Sequence, residues 1–313
     1  MYTIAIDIGG TKTAIACFDR AHKIVYQDKF ASAETLASGP TPSASLATAI
    51  RTFCVERQID LSQIYGIGIG FPGVMDRVTQ TIVSCPNLQI LDNQHLGIDL
   101  TANLSLPVFV ENDVNLIALG EAKAGQGQGV TDLACVFVGS GIGSGLILNG
   151  ELYMGADGAA GELGHVPVEP DGLLCTCGGV GCLEMYCSGK ALSLQAARIL
   201  GQDMSGTWAD AQRLIEAARI GNITALAAIH RAFYYLGIGI TTFVNILNVR
   251  LVILGGGIID AWPEGIDIVR RFVQERARKE VRSRLRIEHA SLGETAGLIG
   301  GSILVRRNLR GEG

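Results

Sequence analysis

The chain has 313 residues, of which 48% are hydrophobic and 18% are charged, with 41 glycines and 8 prolines. This length suffices for one large domain or two ordinary domains with a substantial buried core. The glycines form clusters without a fixed period, which excludes collagen and argues against low-complexity disorder. A net charge of −5 at pH 7 gives no electrostatic reason to expect nucleic acid or an anionic membrane as a partner.

The N-terminal stretch MYTIAIDIGG lacks a basic region and soon reaches Asp7, which is not the pattern of a secretory signal peptide. Residues 232–249 carry no charge and approach the length of a membrane span. They include threonines and asparagines, however, and are followed by the strand-like run LVILGGG. We therefore interpret them as a buried helix that leads into a buried strand. We expect a soluble, cytoplasmic protein whose thiols are reduced or bound to metal.

One pattern occurs twice along the chain. Residues 3–19 and residues 133–149 each consist of an apolar run, a glycine-rich turn and a second apolar run. Each predicts a β-hairpin. A strand that ends in a glycine cluster follows each hairpin, at 64–73 and at 251–259. The repeated order predicts a duplicated α/β architecture, with two lobes around a central cleft.

Helical patterns lie between these strands, at 43–57, 115–124, 189–200, 208–219, 223–247 and 264–279. The closing segment TAGLIGGSILVRRNL also predicts a helix. We expect residues 1–115 to form a small N-terminal lobe, with the C-terminal helix, about 295–313, packing back on it. Residues 116–294 then form a large C-terminal lobe, with loop 165–187 as its main insertion.

The turn of the first hairpin, DIGGTK, is a candidate phosphate site. Backbone N–H groups exposed by Gly9 and Gly10 can bind an anion, since no Cβ atom blocks its approach. Thr11 supplies a hydroxyl group, Lys12 a cation, and Asp7 a carboxylate able to hold hydrated Mg²⁺. A plain hairpin turn would explain the glycines, but not an acid inside an apolar strand, because a buried carboxylate without a partner is costly.

Neither standard nucleotide fingerprint fits this chain. The pattern G-x-x-x-x-G-K-[ST] is absent from the sequence. Gly68, Gly70 and Gly73 match G-x-G-x-x-G, but no helix start follows them, so we interpret the match as chance. The sequence therefore favours paired glycine hairpins as the phosphate-binding device.

Several motifs occur in chain order and extend over nearly the whole chain: DIGGTKT, FPG, PNL, ENDVN, VGSGIGSG, GELGH, CTCGGVGCLE and LGGG. Together they resemble the motifs of the ROK family of bacterial sugar kinases and sugar-responsive repressors. The resemblance implies a duplicated actin/hexokinase-type (ribonuclease H-like) ATPase fold with a small zinc-binding insertion, ATP with Mg²⁺ as cofactor, and a homodimer. Besides the first turn, the nucleotide-binding residues that it implies are Gly139, Gly141, Gly143, Gly255, Gly256 and Gly257.

A short apolar strand pattern precedes the motif ENDVN, residues 111–115. Asn112 or Asp113 could simply cap the helix that follows. Asp113 could also be the base that takes the proton of a sugar hydroxyl as it attacks the γ-phosphate, since phosphoryl transfer asks mainly for positioning and charge neutralisation. These interpretations are compatible. The resemblance assigns Asp113 as catalytic base and sugar ligand, and Asn112 as a sugar ligand.

Four potential metal ligands lie close together, in the spacing H-x9-C-x-C-x4-C. They are His165, Cys175, Cys177 and Cys182. One imidazole and three thiolates are typical of a closed, structural zinc site. A reducing compartment disfavours disulfides, and a redox pair more usually has C-x-x-C. Cys187 is outside the set, and Cys17, Cys54, Cys85 and Cys135 are expected to be small core residues.

Two glutamates flank these ligands. Glu162 lies three residues before His165, and Glu184 lies two residues after Cys182. A metal would therefore fix both carboxylates, which are good acceptors for vicinal sugar hydroxyls. The resemblance assigns Glu162, His165 and Glu184 to the sugar, with His165 using its second ring nitrogen. For either glutamate alone, an exposed loop charge is the alternative.

The leading hypothesis is an ATP-dependent hexokinase acting on the 6-hydroxyl of an aldohexose, glucose-like or allose. The alternatives are an N-acetylmannosamine or N-acetylglucosamine kinase, or a fructokinase. The residues after Glu184 resemble bacterial allose kinases, whereas Asn112 matches the glucose and N-acetylhexosamine members, so the sugar stays open.

A sugar-responsive repressor is a rival from another class. Only six residues precede Asp7, so we expect no DNA-binding domain, and we interpret the basic residues of 270–286 as a solvated helix. A non-catalytic sugar-binding protein would predict the loss of Asp113, which is present. We therefore expect a small-molecule sugar and ATP as partners, with no nucleic acid and no membrane.

Overall fold

The computed structural model describes residues 1–201 and 208–310. The chain forms two compact units of similar length. Unit 1 consists of Met1–Gln128, Leu152–Ala160 and Glu294–Gly313, and unit 2 consists of Gly129–Glu151 and Gly161–Gly293. The first division therefore falls at Gln128, later than the predicted boundary at residue 115, and a short second segment returns to unit 1.

The first elements belong to unit 1. They are β1 (Tyr2–Ile8), β2 (Lys12–Phe18), β3 (Ile24–Ala31), α1 (Ser32–Leu36), α2 (Pro42–Glu56), β4 (Ile64–Phe71), β5 (Val74–Asp76), β6 (Thr81–Ser84), α3 (Leu96–Leu104), β7 (Val108–Asn112) and α4 (Asp113–Ala124). The next elements are β8 (Leu133–Val138), β9 (Ile142–Leu148), β10 (Glu151–Tyr153), α5 (Glu184–Cys187), α6 (Gly189–Leu200), α7 (Trp208–Arg219), α8 (Ile223–Leu247), β11 (Leu251–Gly255), α9 (Gly257–Ala261), α10 (Gly265–Arg276), α11 (Lys279–Arg282) and β12 (Arg286–His289). The chain closes with α12 (Ala296–Arg310).

Two mixed five-stranded sheets have the same plan; the first lies in unit 1, and strands β8, β9, β11 and β12 of the second lie in unit 2. The strand orders are β3-β2-β1-β4-β7 and β10-β9-β8-β11-β12. In each sheet the first strand of the hairpin is antiparallel to the second and parallel to the strand on its other side. The hairpins and the two glycine-ended strands predicted from the sequence are confirmed, and so is the repeat of their order.

Helix α12 packs against α4, β1 and β4 of unit 1. Glycines permit this close approach, because a Cβ atom at Gly300 would lie 1.8 Å from the carbonyl oxygen of Leu116. On the sheet side, a Cβ atom at Gly68 would lie 2.2 Å from the carbonyl oxygen of Gly301. The contact with α12 is also what places α4 in unit 1 rather than in the second lobe predicted from the sequence.

Within the described residues, α8 is the one helix that is long and apolar enough to cross a membrane by length and composition. Several of its side chains are buried in the core of unit 2, among them Ile229, Phe233, Leu236 and Val244. The segment therefore has the pattern of a core helix, as the sequence predicts. It leads into the buried strand β11.

Candidate active site

Two acidic residues meet at the carboxyl ends of parallel strands in unit 1. Asp7 lies near the end of β1, and Asp113 is the first residue of α4, directly after β7. Strand β4 lies between them and carries Gly70 in register with Asp7. A Cβ atom at Gly70 would lie 3.4 Å from Asp7 Oδ1 and 3.5 Å from Asp113 Cα, so a glycine here lets the two acids lie close together.

Both acids hold their protons more tightly than usual. Burial raises the pKa of Asp7 to about 6. Burial first, and the negative charge of Asp7 second, raise the pKa of Asp113 to about 7, although the Val114 N–H donates to Asp113 Oδ1 at 2.8 Å. A carboxylate with a pKa near neutrality is suited to accept a proton during catalysis.

Asn112, rather than Asp113, is the N-cap of α4. Its Oδ1 accepts hydrogen bonds from the backbone N–H groups of Val114 (2.9 Å) and Asn115 (3.2 Å). Its Nδ2 donates to the carbonyl oxygen of Gly73 at 3.2 Å. The structure thus decides which residue caps, and it leaves one amide hydrogen of Asn112 for a ligand.

The first glycine turn joins β1 to β2 and is stabilised by hydrogen bonds within the turn and from Ser32. The Gly9 N–H donates to the carbonyl oxygen of Lys12 at 3.0 Å. Ser32 donates to Gly9 O through its hydroxyl at 2.7 Å and to Thr11 O through its N–H at 3.0 Å. Gly10, Thr11 and Lys12 are exposed, so their polar groups are accessible to a ligand. No pattern in the sequence predicts these hydrogen bonds from Ser32 to the turn.

In unit 2, the turn between β8 and β9 is tied to Glu184. The Gly139 N–H donates to Gly141 O at 2.9 Å, and Glu184 Oε2 accepts from the Ile142 N–H at 2.8 Å. A Cβ atom at Gly141 would lie 2.3 Å from Glu184 Oε2, so this carboxylate requires a glycine beneath it. Gly143 follows within β9.

The other glycine cluster lies at the end of β11, the sheet neighbour of β8. Gly255 is the last residue of β11, Gly256 caps α9, and Gly257 is the first residue of that helix. Gly256 has φ +91°, and a Cβ atom on it would lie 2.7 Å from the Val138 carbonyl oxygen at the end of β8. The two glycine turns of unit 2 are therefore adjacent at one edge of the sheet.

The four predicted metal ligands come together in unit 2. The ligand atoms of His165, Cys175, Cys177 and Cys182 all lie within 4.8 Å of one another. His165 Nδ1 is 3.7 Å from Cys175 Sγ, and the Sγ atoms of Cys177 and Cys182 are 3.7 Å apart. Tetrahedral zinc, with bonds of about 2.0–2.3 Å, separates its ligands by roughly 3.5–3.8 Å, so the two 3.7 Å distances match zinc, and one imidazole with three thiols is a donor set that zinc accepts.

The orientation of His165 fits the two roles expected from the sequence, as a zinc ligand through one ring nitrogen and as a sugar ligand through the other. With Nδ1 toward the thiols, its Nε2 lies 3.9 Å from Glu162 Oε2. Glu162 is exposed, while Glu184 is half-buried at the start of α5. Cys187 is buried and lies outside the cluster. The four cysteines predicted to be core residues, Cys17, Cys54, Cys85 and Cys135, are also buried.

Beside the two acids lies an ion pair that the sequence does not predict, between the half-buried Arg77 and the buried Glu111. Glu111 is only 2% exposed, and Arg77 Nη2 lies 2.6 Å from both of its carboxylate oxygens. Glu111 Oε1 also accepts from the Asn112 N–H at 2.8 Å and from Asn115 Nδ2 at 3.0 Å. No pattern in the sequence predicts that a residue in the β5–β6 connection reaches the start of α4.

The ROK family model matches residues 3–308 of the chain. A glucokinase of Streptomyces coelicolor is 32% identical over 317 residues, which cover 97% of each chain. A glucokinase of Halalkalibacterium halodurans is 31% identical, covering 97% of this chain and 94% of its own. A xylose repressor of Bacillus subtilis is 35% identical over 246 residues, which cover 77% of this chain and 61% of the repressor.

Solved structures agree with these sequence relatives. A ROK hexokinase from Thermus thermophilus superposes with a TM-score of 0.84 at 28% identity, covering 99% of this chain and all of its own. A ROK family glucokinase from Streptomyces griseus, solved in complex with glucose and AMPPNP, gives a TM-score of 0.77 at 32% identity. That comparison covers 98% of this chain and 100% of the glucokinase.

Proposed function

This chain belongs to the ROK family and is an ATP-dependent sugar kinase, and we propose that it phosphorylates the 6-hydroxyl of an aldohexose, glucose-like or allose. The γ-phosphate of ATP passes directly, in line, to the sugar oxygen. The observation that carries this proposal is the Asp7–Asp113 pair, in which the pKa of Asp113 is raised to about 7. Such a group can take the proton that the attacking hydroxyl must lose.

The chain's own residues have separate roles at the phosphates. Asp113 accepts the hydroxyl proton, while the turn at Gly9 and Gly10 binds phosphate oxygens through the exposed amide of Gly10 and the charge of Lys12. Asp7 would hold Mg²⁺, which when bound neutralises phosphate charge. The glycine turns of unit 2, Gly139, Gly141 and Gly143 with Gly255, Gly256 and Gly257, are the remaining proposed nucleotide contacts.

At the sugar, the proposed ligands are Asn112, Asp113, Glu162, His165 and Glu184. The chemistry of the donor set supports one structural Zn²⁺ on His165, Cys175, Cys177 and Cys182. The zinc would fix the loop that carries Glu162 and Glu184, and it would leave His165 Nε2 to donate to a sugar oxygen.

The decisive experiment is ADP release over a panel of sugars. Glucose, allose, mannose, fructose, N-acetylglucosamine and N-acetylmannosamine are each offered with ATP and Mg²⁺, and the position of phosphate in the product is read by NMR. We expect the highest kcat/KM for glucose or allose, with phosphate on the 6-oxygen. A preference for an N-acetylhexosamine or for fructose would replace the proposed substrate and keep the kinase.

Two further properties belong to the same proposal. We place the enzyme in the cytoplasm, where ATP is available, and we expect a homodimer, which sedimentation would test. A DNA-binding role, as in the repressor relatives, predicts a sugar-sensitive shift of duplex DNA on gels. We expect no shift, because the net charge of −5 does not favour a polyanion.

A further inference from the structure

The connection between β5 and β6 brings one cation to the acidic end of unit 1. Arg77 directly follows β5, in a turn fixed by Asp76, whose Oδ1 accepts from the N–H groups of Val78 (2.8 Å) and Thr79 (2.9 Å). This turn directs the guanidinium group onto Glu111, with Nη2 at 2.6 Å from both carboxylate oxygens. Because Glu111 is almost fully buried, its carboxylate requires a paired cation, and Arg77 supplies that cation.

Glu111 uses its charge on the start of α4. It accepts from the Asn112 N–H and from Asn115 Nδ2, on either side of Asp113 in the chain. An ionised acceptor makes these bonds about twice as strong as a neutral one. The orientation of the backbone that carries Asp113 therefore depends on Glu111, and the position of the Glu111 carboxylate depends on Arg77.

One nitrogen of Arg77 shows that its guanidinium group is not fully paired. Nε is buried and has no hydrogen-bond partner within the described part of the chain. Gly158, with φ +83°, packs against it so closely that a Cβ atom would lie 2.6 Å from Nε. Buried donors are rarely left unpaired in folded proteins unless the group serves another purpose. The segment that contains Gly158 also leads to Glu162, one of the proposed sugar ligands.

From these contacts we infer that Arg77 is a positioning residue for phosphoryl transfer, which acts through Glu111 to orient Asn112 and Asp113. The inference rests on the proposed role of Asp113 as the base. Arg77 touches neither reactant in this account. Its effect is on the angle at which the carboxylate of Asp113 meets the sugar hydroxyl, and a misplacement of about 1 Å at such a point can cost ~10²-fold in rate.

Four variants test the inference, each with the best sugar of the panel. Arg77→Met keeps the aliphatic length and removes the charge, and we expect kcat to fall roughly 10- to 100-fold while the KM for ATP stays within about twofold. Arg77→Lys restores the charge without the planar fork, so its kcat should be intermediate. Arg57→Met is the matched control, because Arg57 forms an ion pair with Asp28 at 2.6 Å elsewhere in unit 1. This substitution should leave kcat unchanged.

The double variant Arg77→Met/Glu111→Gln separates positioning from stability. The amide keeps an acceptor for the Asn112 N–H and leaves no buried charge, so the double variant should turn over faster than Arg77→Met alone. Circular dichroism sets a temperature at which every variant is folded. The inference is overturned if Arg77→Met keeps a kcat within about twofold of wild type, or if the double variant is no faster than the single one.

Failure of the inference and failure of the proposed function give different results. If wild-type protein phosphorylates none of the sugars, the proposed function fails, and the inference fails with it. If wild-type protein is active and Arg77→Met is equally active, only the inference fails, and the Arg77–Glu111 pair is a structural ion pair.

Discussion

At the scale of single residues, Asp113 combines a position at the start of α4 with a pKa raised to about 7. The capping of α4 is carried by Asn112, so the Asp113 side chain can be changed without removing the cap.

We predict that Asp113→Asn lowers kcat by ~10²–10⁴-fold, the usual contribution of a general base. Sugar affinity should survive within about tenfold, since the amide keeps the shape of the carboxylate. ADP release and calorimetric titration measure the two quantities, and a variant that keeps more than about a tenth of wild-type kcat contradicts the role of base.

The same substitution should change how stability depends on pH. The folded-state pKa of Asp113, about 7, lies above its ordinary value of 3.8, so the folded protein binds more protons than the unfolded chain between these values. The contribution of this group to stability is therefore present at low pH and is lost as the pH rises toward 7. Asp113→Asn removes that loss. With no ligand or Mg²⁺ present, the Tm of the Asp113→Asn variant should rise relative to the wild-type Tm as the pH increases from 5 to 8. A Tm difference that stays constant over this pH range would contradict the raised pKa of Asp113.

Residues of the site differ in how visible they are in the sequence. Asp7 is conspicuous as an acid within an apolar strand, and the cysteine spacing predicts the cluster around His165. Arg77 is not conspicuous, because its partner Glu111 lies 34 positions away and only tertiary structure brings them together. Sequence spacing reveals ligands that share a loop, but not ion pairs between distant elements.

At the scale of elements, the first glycine turn allows a sharp test. A Cβ atom at Gly10 would lie 3.2 Å from Cβ of Asn87, and Gly10 is not among the residues with positive φ. Valine there is therefore disfavoured by crowding against Asn87 rather than by backbone strain. We predict that Gly10→Val raises the KM for ATP sharply and leaves sugar affinity almost unchanged. Equal losses for both ligands, with a changed circular dichroism spectrum, would indicate unfolding instead.

The zinc loop gives a second test at this scale. Metal analysis of purified protein should find close to one zinc per chain. Cys177→Ala should lower the zinc content and raise the sugar KM far more than the ATP KM, because the loop carries Glu162 and Glu184. Cys187→Ala is the matched control, since Cys187 is buried in α5 and lies outside the cluster. Fully active wild-type protein without zinc would contradict this account.

The sequence predictions omitted several elements, among them α3, of which Leu96, Leu100 and Leu104 are buried. Strand β3 was missed, and most of its residues are exposed, so it lacks the alternation that marks a half-buried strand. By contrast, α8 and α6 match their predicted bounds, because long periodic patterns and caps such as Ser188 define them. The G-x-G-x-x-G match has a packing explanation. Gly68 and Gly70 lie within β4 and admit α12 and Asp7, respectively.

At the scale of the whole molecule, the repeated hairpin-and-strand order was readable from the sequence, whereas the path of the chain between units was not. Unit 1 is assembled from three separate segments. Local patterns carry no information about the return of residues 152–160, which depends on tertiary contacts such as that between Gly158 and Arg77.

The closing segment should be indispensable for unit 1 and dispensable for unit 2. Leu298, Ile303 and Val305 of α12 are buried, and each such side chain contributes about 1.5–3 kcal/mol, so their loss removes much of a typical stability of ~5–15 kcal/mol. The main core cluster of unit 2 is drawn from residues 134–287 alone.

We therefore predict that a chain ending at Gly293 loses kinase activity and the cooperative unfolding of unit 1, but still binds close to one zinc. Calorimetry, metal analysis and ADP release provide the three readouts. Full-length Asn308→Ala, altered on the exposed face of α12, should behave as wild type. Loss of zinc in the shortened chain would show that unit 2 needs the closing helix as well.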